Sequence, residues 1–274
     1  MPQFARILPV VIPAAVLVWV AASGCSLIPR TAPVSRELAT ARRLSNEGLT
    51  AADQQDLGRA ESLFERAVRA CPTDVDARRH FAEVLWKRGE RVAAVGQIAE
   101  ALEIAPHDEE LCVVGGRMYL ELGLLDDADR LAAAAVSLAP RSARAWQLRG
   151  QAALARGRLD DALDDFHRGL AIEPDNRQLL YETAEAYRQA NRPTRALATL
   201  AVLEETYGPG QTPGDVLALE GLAQEALGRA ADALESYRLA MSRGNAPQDL
   251  PARIAALEQQ ERDTILAGRE TRRE

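Results

Sequence analysis

This chain of 274 residues has few aromatic residues (4%), three cysteines and three histidines. So small a cysteine count excludes a disulfide-stapled scaffold. His80, His107 and His167 stand singly with no Cys or His at ligand spacing, so no metal site is expected. There is no Gly-x-Ser-x-Gly elbow, no glycine-rich phosphate loop and no His-Glu-x-x-His pair. The sequence therefore offers no catalytic residue and no cofactor site, and the chain reads as a non-enzyme. The acidic doublets Asp160-Asp161 and Asp164-Asp165 fall at the start of an expected helix, where negative charge suits the dipole. An excess of basic charge is also missing: the formal net charge is −7, without the basic stripe a nucleic-acid partner needs. The dispersed acidic residues read as a solvated outer face.

What is present is regular. Pro72, Pro106, Pro140 and Pro174 recur at a fixed step, as do Ala60, Ala94, Ala128, Ala162 and Ala196, and Gly89, Gly123 and Gly157. A helical hairpin needs a break between its helices, a small residue where they cross and a stop at its end. Glycine turns the chain out of the first helix, because it has no Cβ to penalise left-handed backbone. Alanine lets the second helix lie close, and proline, without an N–H, ends it. With 47% hydrophobic and 27% charged residues, the composition predicts an alanine-rich, all-α protein with a continuous core.

On these ladders the chain resembles the tetratricopeptide repeat (TPR) family, whose unit is a 34-residue helix-turn-helix. The unit 143–176 carries Trp146, Gly150, Gly157, Ala162, Phe166 and Pro174, with Ala153 in place of the usual Tyr and Gly169 in place of the usual Ala. Further units are expected at 41–74, 75–108, 109–142 and 177–210, the last with Ala184 for Gly and Gly208 for Pro. A sixth, at 214–246, keeps Gly221, Gly228, Ala233, Tyr237 and Ala240 after an insertion of three residues in the Gly-Pro-rich stretch 208–214. Residues 249–265, with Leu250, Ile254, Leu257 and Ile265 among polar neighbours, predict one more amphipathic helix. Residues 247–274 would then form a capping helix and charged tail behind a solenoid at 37–246. The resemblance implies a right-handed superhelix of six repeats. Cys71 and Cys112 would lie two units apart, too far to bridge, and are expected as two buried thiols.

At the N-terminus Arg6 precedes an uncharged apolar stretch from Ile7 to Ala22, followed by Ala-Ser-Gly-Cys-Ser at 22–26. The stretch is shorter than the ~20 apolar residues of a spanning helix and suits a secretory signal. It resembles a bacterial lipoprotein signal peptide at 1–24, with Ala22 where that class most often has Leu. The resemblance implies that Cys25 receives diacylglyceryl on sulfur and becomes the mature N-terminus. Ordinary cleavage without lipid, or an uncleaved anchor, are the alternatives. Residues 25–36, with Pro29, Thr31 and Pro33, would form a flexible stalk. Ser26 is not the Asp that in this class retains lipoproteins at the inner membrane, which favours the outer one.

A stack of hairpins presents an extended concave surface built from the first helix of each repeat. Carried over from the resembled family, the groove positions are Arg79, Glu83, Trp86 and Lys87, then Val113, Arg117 and Leu120, then Arg144, Gln147 and Gln151, then Tyr181, Glu185 and Arg188. Trp86 and Tyr181 could anchor an apolar side chain or stack on a sugar, and Arg79, Arg117 and Arg188 could hold a carboxylate. The alternative is that Trp86 packs between repeats and the arginines are simply solvated. The Lys and Asn clamp of TPR domains that grip chaperone tails is absent. The expected function is that of a lipid-anchored adaptor for a protein or peptide partner in the bacterial cell envelope, as in TPR lipoproteins that assemble pilus secretins or scaffold cell-wall hydrolases. Direct binding of glycan or peptidoglycan in the groove is the second reading.

Overall fold

The computed structural model describes residues 35–243 and 245–270. The stretches expected as a signal peptide and, for nearly all of its length, as a stalk lie outside them, as does Cys25. The described residues form thirteen α-helices and no strand. Six antiparallel hairpins follow one another: α1 (Arg36–Asp53) with α2 (Leu57–Ala70), α3 (Val75–Lys87) with α4 (Arg91–Ile104), and α5 (Glu109–Glu121) with α6 (Leu125–Leu138). Then come α7 (Ala143–Ala155) with α8 (Leu159–Ile172), α9 (Arg177–Gln189) with α10 (Pro193–Glu205), and α11 (Gly214–Ala226) with α12 (Ala230–Met241). The last helix, α13 (Leu250–Glu270), covers the end of the stack.

Each ladder residue does a separate job. Ala60, Ala94, Ala128, Ala162, Ala196 and Ala233 are all fully buried where the paired helices meet. Cys71, Ala105, Ala139 and Glu173, each just before a ladder proline, have left the helix with φ between −143° and −127°. That is the extended backbone a following proline enforces. The next helix is restarted by a side-chain cap: Asp74, Asp108, Ser142 and Asn176 accept from the backbone N–H three residues on, as Ser35 does for α1. Pro213 opens α11 without such a cap, after the longer 206–213 connection.

The hairpin turn needs one left-handed residue in every repeat, and the structure has it in all six. Gly89, Gly123, Gly157 and Gly228 supply it at φ +71° to +86°, while Gln55 (+62°) and Asn191 (+55°) supply it elsewhere. In each turn the residue after it donates back to a carbonyl five residues earlier, as Asp56 N–H does to Ala51 and Glu90 N–H to Leu85. Gln55 is the unfavourable member, since a non-glycine side chain there costs on the order of 1 kcal/mol. Gln55→Gly is expected to raise stability by about 1 kcal/mol. Asn191→Gly should gain less, because Asn tolerates this conformation better; denaturant melts of the two variants check the order.

Glycines at the eighth place of a repeat are close-approach sites. A Cβ on Gly48, Gly150 or Gly221 would run into the ring of Phe64, Phe166 or Tyr237, sixteen residues on in each case. These three rings are fully buried. The core runs through the stack as successive apolar clusters, each drawing on adjacent hairpins.

Two expectations are corrected. Cys112 is buried as expected, but Cys71 is only half-buried, because it caps α2 at the edge of the stack; both thiols are free. The final helix runs to Glu270, beyond the expected 265, with Leu250 and Leu257 buried against α11 and α12; the Ile265 side chain lies outside the described set. Among the described residues no helix is long and apolar enough to cross a membrane.

Candidate functional site

First helices of successive repeats touch one another, α1 with α3, α5 with α7 and α9 with α11, while second helices make no comparable contact among themselves. The first helices therefore line the tighter, concave side. Most of the groove positions named from the sequence lie at least partly exposed on it. Val113 is the exception: it is fully buried and cannot meet a ligand. An apolar side chain gains about 1.5–3 kcal/mol from full burial, and Val113 takes it by joining the cluster of Cys112, Leu131 and Leu148.

Much of the polar groove is already internally paired. Arg79 Nη1 donates to Glu83 Oε1 at 3.1 Å and lies 3.8 Å from Glu110 on the next repeat. Arg144 grips that same Glu110 with both terminal nitrogens, at 2.9 and 3.0 Å, so one carboxylate ties α3, α5 and α7 together. Glu182 Oε1 accepts from three amides, Gln147 (3.0 Å), Gln151 (2.8 Å) and Gln178 (2.7 Å). Arg188 and Gln189 hold Glu185 at 2.6–2.9 Å. Trp86 packs against the α3–α5 cluster with the Arg91 guanidinium 4.0 Å above its ring, so its own repeat covers one face. Tyr181 is half-buried against α10 and α11, and burial, then the charges of Asp215 and Glu185, push its hydroxyl up.

The carboxylates report the same pairing. Burial pushes Glu83 up, but the His80 hydrogen bond and the Arg79 charge outweigh it and hold the group below the ordinary range. The Arg144 hydrogen bond does this for Glu110; at Glu185 burial is again outweighed, there by Arg188 and Gln189. A depressed carboxyl contributes stability that is present above its unfolded pKa and is lost as pH falls through the folded one. Thermal stability should therefore drop on acidification from the ordinary carboxylate range downward, and Glu110→Gln should flatten that drop while lowering stability at neutral pH.

What stays open is a cavity of about 340 Å³ between α5 and α7, lined by Arg117, Leu120, Glu121, Gln151 and Ala155. Three of these were groove positions in the sequence. Arg117 is exposed and has no ion pair among the described residues, and the same holds for Lys87 at the end of α3. Larger hollows exist but are less suited to binding. The one of about 810 Å³ beside Thr206 is the space left by the irregular 206–213 connection, and its Arg177 is taken up by Thr206 (3.0 Å) and the Tyr207 ring (4.3 Å). Another, of about 350 Å³ on α7 and α8, is filled by compensating charge: Arg149 pairs with the buried Asp165 at 2.5 and 2.8 Å and stacks on Trp146 at 4.4 Å.

Several of these residues escaped sequence reasoning. Glu110 sits at the second place of its repeat, so the rule that gave Arg144 gives it too. Glu182 occupies a place with no such signal. Asp165, read from sequence as a dipole charge, is instead a buried partner of Arg149 sixteen residues back. Arg78 and Trp146 play equivalent parts in their repeats, since Arg78 Nε and Trp146 Nε1 each donate to the proline carbonyl six residues earlier, at 2.9 Å to Pro72 and 2.8 Å to Pro140. Among the described residues no group of three His, Cys, Asp or Glu could hold a metal ion.

Known proteins share this architecture. A tetratricopeptide repeat protein from Parabacteroides merdae superposes with a TM-score of 0.64 at 18% identity, over 80% of this chain and 84% of that one. PilW, described as a widely conserved type IV pilus biogenesis factor, gives 0.72 at 19% identity, over 77% and 97%. PilF of Pseudomonas aeruginosa gives 0.65 at 16%, over 74% and 91%. At such identities the likeness is one of fold. The Hsp70-Hsp90 organizing protein 2 of Arabidopsis thaliana is 22% identical over 158 residues, 58% of this chain but only 28% of that relative's length. Two family profiles described as tetratricopeptide repeat match residues 45–109, 115–177 and 153–209, together more than half of the sequence. The chain belongs to the tetratricopeptide repeat family.

Proposed function

We propose that this protein is a non-enzymatic adaptor, anchored in a bacterial membrane through acylated Cys25, that holds a protein or peptide partner of a cell-envelope assembly in its concave groove. The observation that carries this reading is the pocket at Arg117, Leu120 and Gln151, an open site on a surface whose arginines at 79, 144 and 188 are already paired with carboxylates. The likeness in fold to PilW and PilF supports a role of the pilus-assembly kind. The Ile7 to Ala22 stretch and Cys25 support the anchor, and Ser26 supports the outer membrane with the repeats facing the periplasm. The test is retention: mature protein is offered purified cell-wall sacculi stripped of protein and, separately, solubilised envelope proteins. The adaptor reading expects a stoichiometric protein partner and no retention on sacculi. Retention on sacculi alone would replace it by direct glycan binding.

A further inference from the structure

The edge of the stack formed by the hairpin turns is fastened by arginines reaching back to the preceding repeat. Arg88 pairs with Glu61, Arg156 with Asp129 at 2.6 Å, Arg158 with Asp129 at 3.1 Å, and Arg192 with Asp160 at 2.7 Å. The third repeat breaks this ladder. Leu122 stands where the repeats on either side have Arg88 and Arg156, and Leu124 where the fourth and fifth repeats have Arg158 and Arg192. Both leucines are exposed, and so is Val92, the second residue of α4 in the preceding repeat, at 87%. Exposed apolar side chains gathered at one place on a surface of charged pairs mark a contact surface.

This break adjoins the open groove pocket. Leu122 follows Glu121, a wall of that pocket, and Glu121 lies 3.7 Å from Arg91, the residue before Val92. Within the groove from α3 to α9, Arg79, Arg144 and Arg188 are neutralised by Glu83, Glu110 and Glu185. Lys87 and Arg117 are the groove cations without an ion pair among the described residues. The surface thus offers two uncompensated positive charges beside an apolar strip.

We infer that this lip of repeats two and three receives an acidic, apolar segment of the partner protein, with carboxylates on Arg117 and Lys87 and apolar side chains on Leu120, Leu122 and Leu124. The inference rests on the adaptor reading and assigns its partner a chemistry. Lys87 is also the chain's single lysine, so its amine is a unique side-chain handle for coupling to a carboxylate.

The probes are three synthetic peptides of about twelve residues with leucines at helical i, i+3, i+4 and i+7 spacing and Glu, Gln or Lys at the remaining positions, titrated against the full chain in detergent. The Glu peptide is expected to bind about tenfold more tightly than the Gln peptide, with an advantage that fades as salt rises. Carbodiimide should couple it to Lys87. The double variant Arg117→Glu, Lys87→Glu is expected to lose that advantage and favour the Lys peptide, with its helicity kept and its melting temperature lowered only slightly, since neither side chain has an ion pair to lose and the costs are a glutamate in the last turn of α3 and a like charge one turn from Glu121. Arg141→Glu, outside the groove, should behave as wild type. Equal binding of the three peptides, a preference for the Lys peptide by wild type, or no binding at all would overturn the inference. Recovery of a protein partner from the envelope alongside any of those results would leave the adaptor reading standing and remove only its acidic-segment form.

Discussion

Phe166→Ala is expected to be severely destabilising, by about 3–5 kcal/mol. The ring is fully buried between α7 and α8 and lies against Gly150, so its loss leaves a cavity that the bare glycine backbone cannot fill. The reciprocal change, Gly150→Ala, places a methyl group where the ring now sits. Alanine is the better helix former by roughly 1 kcal/mol, yet overpacking against an immobile ring costs about 1–3 kcal/mol, so a net loss is expected. The double variant should lose less than the sum of the singles, because removing the ring makes room for the methyl group. Urea melts of the four proteins check this. Additive losses would mean that Gly150 and Phe166 do not constrain one another. The same arrangement at Gly48–Phe64 and Gly221–Tyr237 predicts the same coupling at both ends of the solenoid.

Cys25→Ser is expected to move the protein from the membrane fraction to the soluble fraction almost completely. On the proposed anchoring, two or three acyl chains hold the mature protein, each buried CH₂ contributing about 0.8 kcal/mol, and a single chain would hold only marginally. Removing the thiol removes the acceptor of the first diacylglyceryl group, so all of that affinity is lost together. No helix among the described residues is long and apolar enough to cross the membrane in its place. Fractionation after labelling with a radioactive fatty acid measures both effects. A Cys25→Ser protein that stays in the membrane would show that an uncleaved N-terminal segment or a partner holds it there.

The hairpins are legible in the sequence because proline and glycine act through backbone chemistry that does not depend on neighbours, and because the helix crossing admits only a residue as small as alanine at a fixed place in every repeat. Where the same backbone conformation is met by another residue, as at Gln55 and Asn191, composition gives no sign of it. The repeat phase alone reveals it. Groove positions were legible as places along a helix but not as free side chains. Whether Arg79 or Arg144 is available depends on Glu110, and whether Gln151 is available depends on Glu182 one repeat away. Trp86 is legible as an aromatic groove position; that Arg91, five residues on, covers one face of its ring is not. Val113 failed for a packing reason: the close approach of Leu148 at Gly116 draws apolar neighbours over that side of α5. Arg117 and Lys87 remain because neither forms an ion pair among the described residues, Glu121 in the same pocket lying 3.7 Å from Arg91 instead.

The most direct measurement is affinity purification of the detergent-solubilised protein from its own cells, side by side with the Arg117→Glu, Lys87→Glu variant, with melting curves taken on both. The predicted result is a stoichiometric envelope partner on the wild-type protein, lost or strongly depleted on the variant, with helicity the same and the melting temperature only slightly lower. An equal yield of the same partner on both proteins would contradict the claim that the concave pocket, together with Arg117 and Lys87, is the binding site.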